Sequence, residues 1–125
     1  MADAPMLDLV LLVEDNEVVG DLMCRRLGRF AREVLWARTG TEGLAFYNAR
    51  SPQLAVVDQL LPGLLGSDLV RAIRVKDRAL PVIGLTASTM GDEIEALEAA
   101  GATIAVEKPL GLGDLRIFLE THFGA

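Results

Sequence analysis

Five short, nearly unbroken apolar runs, separated by stretches with helical spacing, constrain this chain more than any other feature. The runs are Leu7–Val13, Glu33–Ala37, Leu54–Val57, Pro81–Leu85 and Thr103–Val106. Most are continuous rather than alternating and rich in Val, Ile and Leu, which is how strands read when a parallel sheet is covered on both faces. Between them lie stripes of helical period: Val19, Leu22, Met23 and Leu27; Leu69, Val70 and Ile73; Ile94 and Leu97; Leu115, Phe118 and Leu119. Thr41–Arg50 carries a thinner stripe, resting on Leu44 and Tyr47. Gly101 follows Ala100, where a helix is expected to stop. Strand and helix therefore alternate five times, which implies an α/β fold with a five-stranded parallel sheet, helices on both faces and right-handed crossovers. The common strand order for such a sheet is 2-1-3-4-5.

The 125 residues suit one domain, 1–125, with an ordered core over about 7–123, and a hydrophobic share of 51% is enough for a single core. The net charge is −6 with both signs interspersed. No basic face speaks for direct nucleic-acid binding, and no polybasic patch for a membrane. The one cysteine, Cys24, cannot form an intrachain disulfide and reads as a small apolar filler on the first helix. No apolar run approaches the roughly 18 residues of a membrane span. Residues 1–6 lack the basic start and apolar core of a signal peptide. These features together point to the cytoplasm.

In a parallel sheet all strands end at one edge, and ligands bind there, near the point where strand order reverses. Just past the first run stand Glu14 and Asp15; the third ends at Asp58, the fourth at Thr86, and Lys108 follows the fifth. These four strands are expected to be neighbours, about 4.8 Å apart, so the groups converge on one pocket. Each signal alone is weak, because acidic residues often lead into helices and Thr and Lys are common at turns and surfaces. Their ordered coincidence is specific. Three crowded carboxylates need compensation, which a hard dication such as Mg²⁺ supplies while keeping room for a phosphate oxygen. Asp58 is then a carboxylate nucleophile able to form an aspartyl phosphate. Lys108 offers charge and Thr86 a hydroxyl to the transferred group.

On these residues the chain resembles the receiver domain of response regulators in two-component signalling, from about Leu7 to Phe123. The matching motifs are Leu11-Leu12-Val13-Glu14-Asp15-Asn16, Val56-Val57-Asp58-Gln59-Leu60-Leu61-Pro62-Gly63, Gly84-Leu85-Thr86-Ala87, Ala100-Gly101-Ala102 and Glu107-Lys108-Pro109-Leu110. The resemblance implies the flavodoxin-like receiver fold and a phospho-acceptor at Asp58. It implies Mg²⁺ bound directly by Asp15, Asp58 and the backbone carbonyl of Leu60, with Glu14 acting through water. Thr86 would bond the phosphoryl oxygens, Lys108 would pair with them, and the Lys108–Pro109 peptide would be cis. The donor would be a phosphohistidine on a sensor kinase or phosphotransfer protein, with output through the face of helix 4, strand 5 and helix 5. A monomer, or a weak dimer formed on phosphorylation, is expected.

Three positions depart from the family pattern. Ala105 stands where an aromatic switch residue is common, and a methyl group cannot swing between rotamers. Leu60, two residues after Asp58, cannot orient an attacking water, so a long-lived phosphoaspartate is expected. The loop Leu60-Leu61-Pro62-Gly63-Leu64-Leu65-Gly66 carries four leucines, of which any two left exposed would make an apolar patch by the site. Leu65 stands where an acidic residue is common. Leu60 also disfavours an aspartyl-nucleophile phosphatase, which commonly has a second Asp there. Glu14 and Asp15 disfavour a flavodoxin-like carrier, whose loop after strand one must welcome phosphate. The alternative is a receiver-like interaction module with weak or no phosphorylation, against which Asp15, Asp58 and Lys108 all stand intact. His122 is expected to be a solvated residue near the end of helix 5, and Trp36 to pack on strand 2 near the active edge. The chain ends soon after the fifth helix, at Ala125, which fits either a stand-alone receiver or a piece of a longer protein.

Overall fold

The computed structural model describes residues 7–87 and 91–124. Its elements alternate along the chain: β1 (Leu7–Val13), α1 (Glu17–Leu27), β2 (Ala31–Ala37), α2 (Gly40–Arg50), β3 (Leu54–Asp58), α3 (Gly66–Lys76), β4 (Val82–Thr86), α4 (Asp92–Ala100), β5 (Ile104–Glu107) and α5 (Leu112–Phe123). All strand pairs are parallel and the order is β2-β1-β3-β4-β5, as expected from the sequence. Residues 1–6, which carried the signal-peptide argument, lie outside the described residues. No helix among the described residues is long and apolar enough to cross a membrane.

Local chemistry starts and stops the helices. Asn16 caps α1, its side-chain oxygen accepting from the Val19 N–H at 2.9 Å, and Thr39 caps α2 by accepting from the Glu42 N–H at 3.0 Å. Gly101 closes α4 at φ 113°, a left-handed conformation that favours glycine.

The sheet divides the core in two. Side chains alternate across a strand, so Leu12 packs with Met23, Leu27, Leu115 and Leu119 of α1 and α5, whereas Leu11 packs with Leu69, Val70, Ile73 and Leu97 of α3 and α4. Both leucines are completely buried. The central strands β1, β3 and β4 are therefore apolar on both faces. The outer strands are only half-covered: Val34, Leu35, Trp36, Ile104, Ala105 and Val106 are intermediate in exposure.

The ladders run slightly past the apolar runs. β2 begins at Ala31, paired with Leu7, and takes in Arg32 ahead of Glu33, with the Arg32 side chain facing solvent at the sheet edge. Edge strands tolerate polar residues, which is why hydrophobicity alone shortened this strand. At the other end, Asp58 pairs with Leu85 and Thr86 with Glu107. Both polar residues thus belong to the rigid sheet rather than to its loops.

Candidate functional site

Asp58 ends β3, the strand between β1 and β4, so its side chain emerges at the centre of the sheet's carboxyl edge. It is 3% exposed. Glu14 follows β1 directly and is completely buried. Its position is fixed from several sides: its N–H donates to the Ala37 carbonyl at 3.0 Å, and its carboxylate accepts from the Asn16 N–H at 3.0 Å. Its own carbonyl accepts from the Trp36 indole N–H at 2.9 Å. Lys108 comes in after β5, its N–H donating to the Thr86 carbonyl at 2.7 Å. Its ammonium group lies 3.2 Å from Glu14 Oε1 and 3.3 Å from Asp58 Oδ2. The Lys108–Pro109 peptide is cis. Asp15 is exposed, yet carboxylate oxygens of Glu14, Asp15 and Asp58 all lie within 4.8 Å of one another.

This crowding has an electrostatic consequence. Burial, and next the Glu14 carboxylate, push the Asp58 pKa up to about 6, against the pull of Lys108. Burial lowers the Lys108 pKa, but Asp58 and Glu14 outweigh it and the net shift is upward. Lys108 alone leaves three carboxylates under-compensated. The donor set is all oxygen, which suits a hard cation such as Mg²⁺ and not a thiolate- or imidazole-seeking metal.

Thr86 is at the rim but not turned to the carboxylates. It is completely buried, and its hydroxyl donates to the Glu93 carboxylate in the first turn of α4. Leu60 is 57% exposed and Leu65 42%, whereas Leu61 is buried and Leu64 half-buried. Two of the loop leucines therefore do face solvent.

A family model described as the response regulator receiver domain matches residues 10–120. This chain belongs to the response regulator receiver family. The receiver is 34% identical over 101 residues to the transcriptional regulatory protein AfsQ1 of Streptomyces coelicolor, covering 81% of this chain and 44% of that protein. It is 30% identical over 118 residues to hybrid signal transduction histidine kinase G of Dictyostelium discoideum, covering 90% of this chain but 3% of that protein. The chain thus spans less than half of these curated relatives. Among solved structures, the receiver domain of the sensor histidine kinase PA1611 of Pseudomonas aeruginosa superposes with a TM-score of 0.85 at 26% identity, covering 98% of this chain and all of that one. That structure holds a magnesium ion in its active-site cleft.

Several residues that shape the receiver's site were not singled out by the sequence reading, or not for the role they play. Trp36 does pack on β2 near the active edge, but its further contact is the hydrogen bond to the Glu14 carbonyl. It lies so close to α1 that a Cβ at Gly20 would come within 1.9 Å of its ring. Gly66 lets α3 start against the end of β3, since a Cβ there would lie 2.1 Å from the Asp58 carbonyl oxygen. Buried Gln59 ties the same junction, accepting from the Ser67 N–H at 2.8 Å. Glu93 carried no sequence signal beyond an acidic first turn, because its partner Thr86 lies seven residues away across a helix start. Cys24 is half-buried against the α1–α5 core, and burial raises its pKa, which fits an inert filler. His122 is exposed on the last turn of α5, with its ring 4.2 Å from that of Phe118.

Proposed function

We propose that this receiver accepts a phosphoryl group on Asp58 in a Mg²⁺-dependent reaction. The observation that carries the reading is the placement of a nearly buried carboxylate within 3.3 Å of a lysine ammonium and beside two further carboxylates. Asp15, Asp58 and the Leu60 carbonyl would hold the ion, with Glu14 acting through water. Bound there, Mg²⁺ would neutralise the carboxylates and the incoming phosphoryl oxygens.

The chain's own residues supply the rest. An Asp58 carboxylate oxygen forms the new P–O bond as the P–N bond of a phosphohistidine breaks, and the electron pair returns to the imidazole. Asp58 must be ionised to attack, and Lys108 favours that form. Lys108 then pairs with the phosphoryl oxygens, and Thr86 donates its hydroxyl to one of them. The buried setting of Asp58 makes each of these interactions stronger than it is in water. The donor would be a sensor histidine kinase or a histidine phosphotransfer protein. Output would run through the α4–β5–α5 face, in a cytoplasmic protein that is monomeric or weakly dimeric when phosphorylated. Turnover would be limited to the chain's own phosphorylation and slow autodephosphorylation.

The exposed Leu60 and Leu65 fit a docking role for the phosphodonor beside Asp58. Alanine at both positions is expected to slow transfer from a cognate kinase while leaving small phosphodonors effective. Unchanged kinase-dependent transfer would remove the docking role.

Incubation with acetyl phosphate and Mg²⁺ tests the central reading. Intact mass is expected to rise by one phosphoryl group in the wild type and not in Asp58→Asn, nor in the wild type with the metal chelated. A wild type that gains no mass, or an equal gain in Asp58→Asn, would sink it.

A further inference from the structure

The geometry points to Glu93 as a positioning residue that competes with the phosphoryl group for the hydroxyl of Thr86; this rests on the phosphoacceptor reading above. Thr86 is completely buried at the end of β4, and its Oγ1 donates to the Glu93 carboxylate. A hydroxyl has one proton to donate. It cannot serve a phosphoryl oxygen at Asp58 and the Glu93 carboxylate together. Phosphorylation at Asp58 would therefore require Thr86 to leave Glu93. Hydrogen bonds to charged acceptors are the stronger kind, and burial raises their worth further. Glu93 sits in the first turn of α4, so the exchange of partners acts directly on that helix. Ala105, paired with Gly84 beside this site, offers no side chain beyond Cβ to carry the signal. The Thr86–Glu93 contact supplies a route from Asp58 to α4 that needs no swinging aromatic ring.

The competition is read by a double-mutant cycle on the affinity for beryllofluoride with Mg²⁺, a phosphoryl mimic, measured by titration calorimetry. Glu93→Ala is expected to bind the mimic roughly ten- to a hundredfold more tightly than wild type, the range that the net worth of a hydrogen bond to a charged group implies. Glu93→Gln, whose amide oxygen still accepts from the hydroxyl, should stay close to wild type. In the Thr86→Ala background the Glu93→Ala gain should vanish. A Glu93→Ala affinity equal to wild type, or the same gain with Thr86 absent, overturns the competition. Amide hydrogen exchange without the mimic gives a second measure. Glu93→Ala and Thr86→Ala should each speed exchange in the first turn of α4, and the double variant no further; additive effects would overturn the contact. A wild type that fails to bind the mimic counts against the phosphoacceptor reading, and the exchange data alone then judge the contact.

Discussion

Asp58 holds its proton more tightly than an ordinary carboxyl, because burial and the neighbouring Glu14 disfavour its charge. The folded state therefore binds the proton over a pH range in which the unfolded chain has already lost it. In the metal-free protein, stability contributed by this group falls as pH rises from about 4 to about 6, and stays lowered above that. A cation among the carboxylates offsets the repulsion only once they are ionised. Mg²⁺ is thus expected to raise Tm markedly at about pH 7.5 and little at about pH 4.5, with Asp58→Asn losing most of that difference. Calorimetry at constant ionic strength checks this, and equal Mg²⁺ shifts at both pH values would contradict it. Leu60 poses a separate question of water access. Exposed at the mouth of the site, it offers no group to orient a water. Leu60→Asn is expected to shorten the phosphoaspartate lifetime about tenfold, roughly 1.4 kcal/mol in the barrier, as followed by loss of intact-mass signal over time.

Between elements, the site depends on two close approaches that only glycine permits. Gly20 lets α1 lie on the Trp36 ring, and Trp36 in turn holds the β1–α1 junction through the Glu14 carbonyl. The Arg38 guanidinium stacks over the Trp36 ring, 3.8 Å from its centroid, and pairs with Glu17 at 2.5 Å. That ion pair is exposed and adds little stability. The packing matters more. Gly20→Ala is expected to cost about 1–3 kcal/mol in urea unfolding and to shift the Trp36 emission, since ring and helix must separate. Gly66→Ala acts at the other junction, pressing on the backbone of Asp58 itself. It should reduce phosphorylation by acetyl phosphate as well as stability, whereas Gly20→Ala should affect stability more than phosphorylation.

Across the whole molecule, the two half-cores share one sheet, so neither can be lost alone. Leu11 and Leu12 are adjacent in sequence, equally buried, and point into opposite halves. Each, changed to alanine, is expected to cost about 2–5 kcal/mol. In both variants far-UV circular dichroism and Trp36 fluorescence should report one coincident urea transition. Separate transitions in Leu11→Ala would show that the α2–α3–α4 side melts independently. The same double-sided sheet explains what was readable in advance. Apolar runs and helical stripes are local patterns with periods set by backbone geometry, so the five strands, the five helices and the termination at Gly101 were legible from residue order alone. So were Glu14, Asp15, Asp58, Thr86 and Lys108, because each stands where an apolar run ends. The meeting of Lys108 with Glu14 spans 94 residues, and no local period encodes such a contact. Strand order brought them together. The partner of Thr86, the burial of Leu61 beside an exposed Leu60, and the wedge of Trp36 on Gly20 were likewise decided in three dimensions. These depend on which surfaces of distant segments pack together, and packing is a property of the assembled chain rather than of any stretch of it.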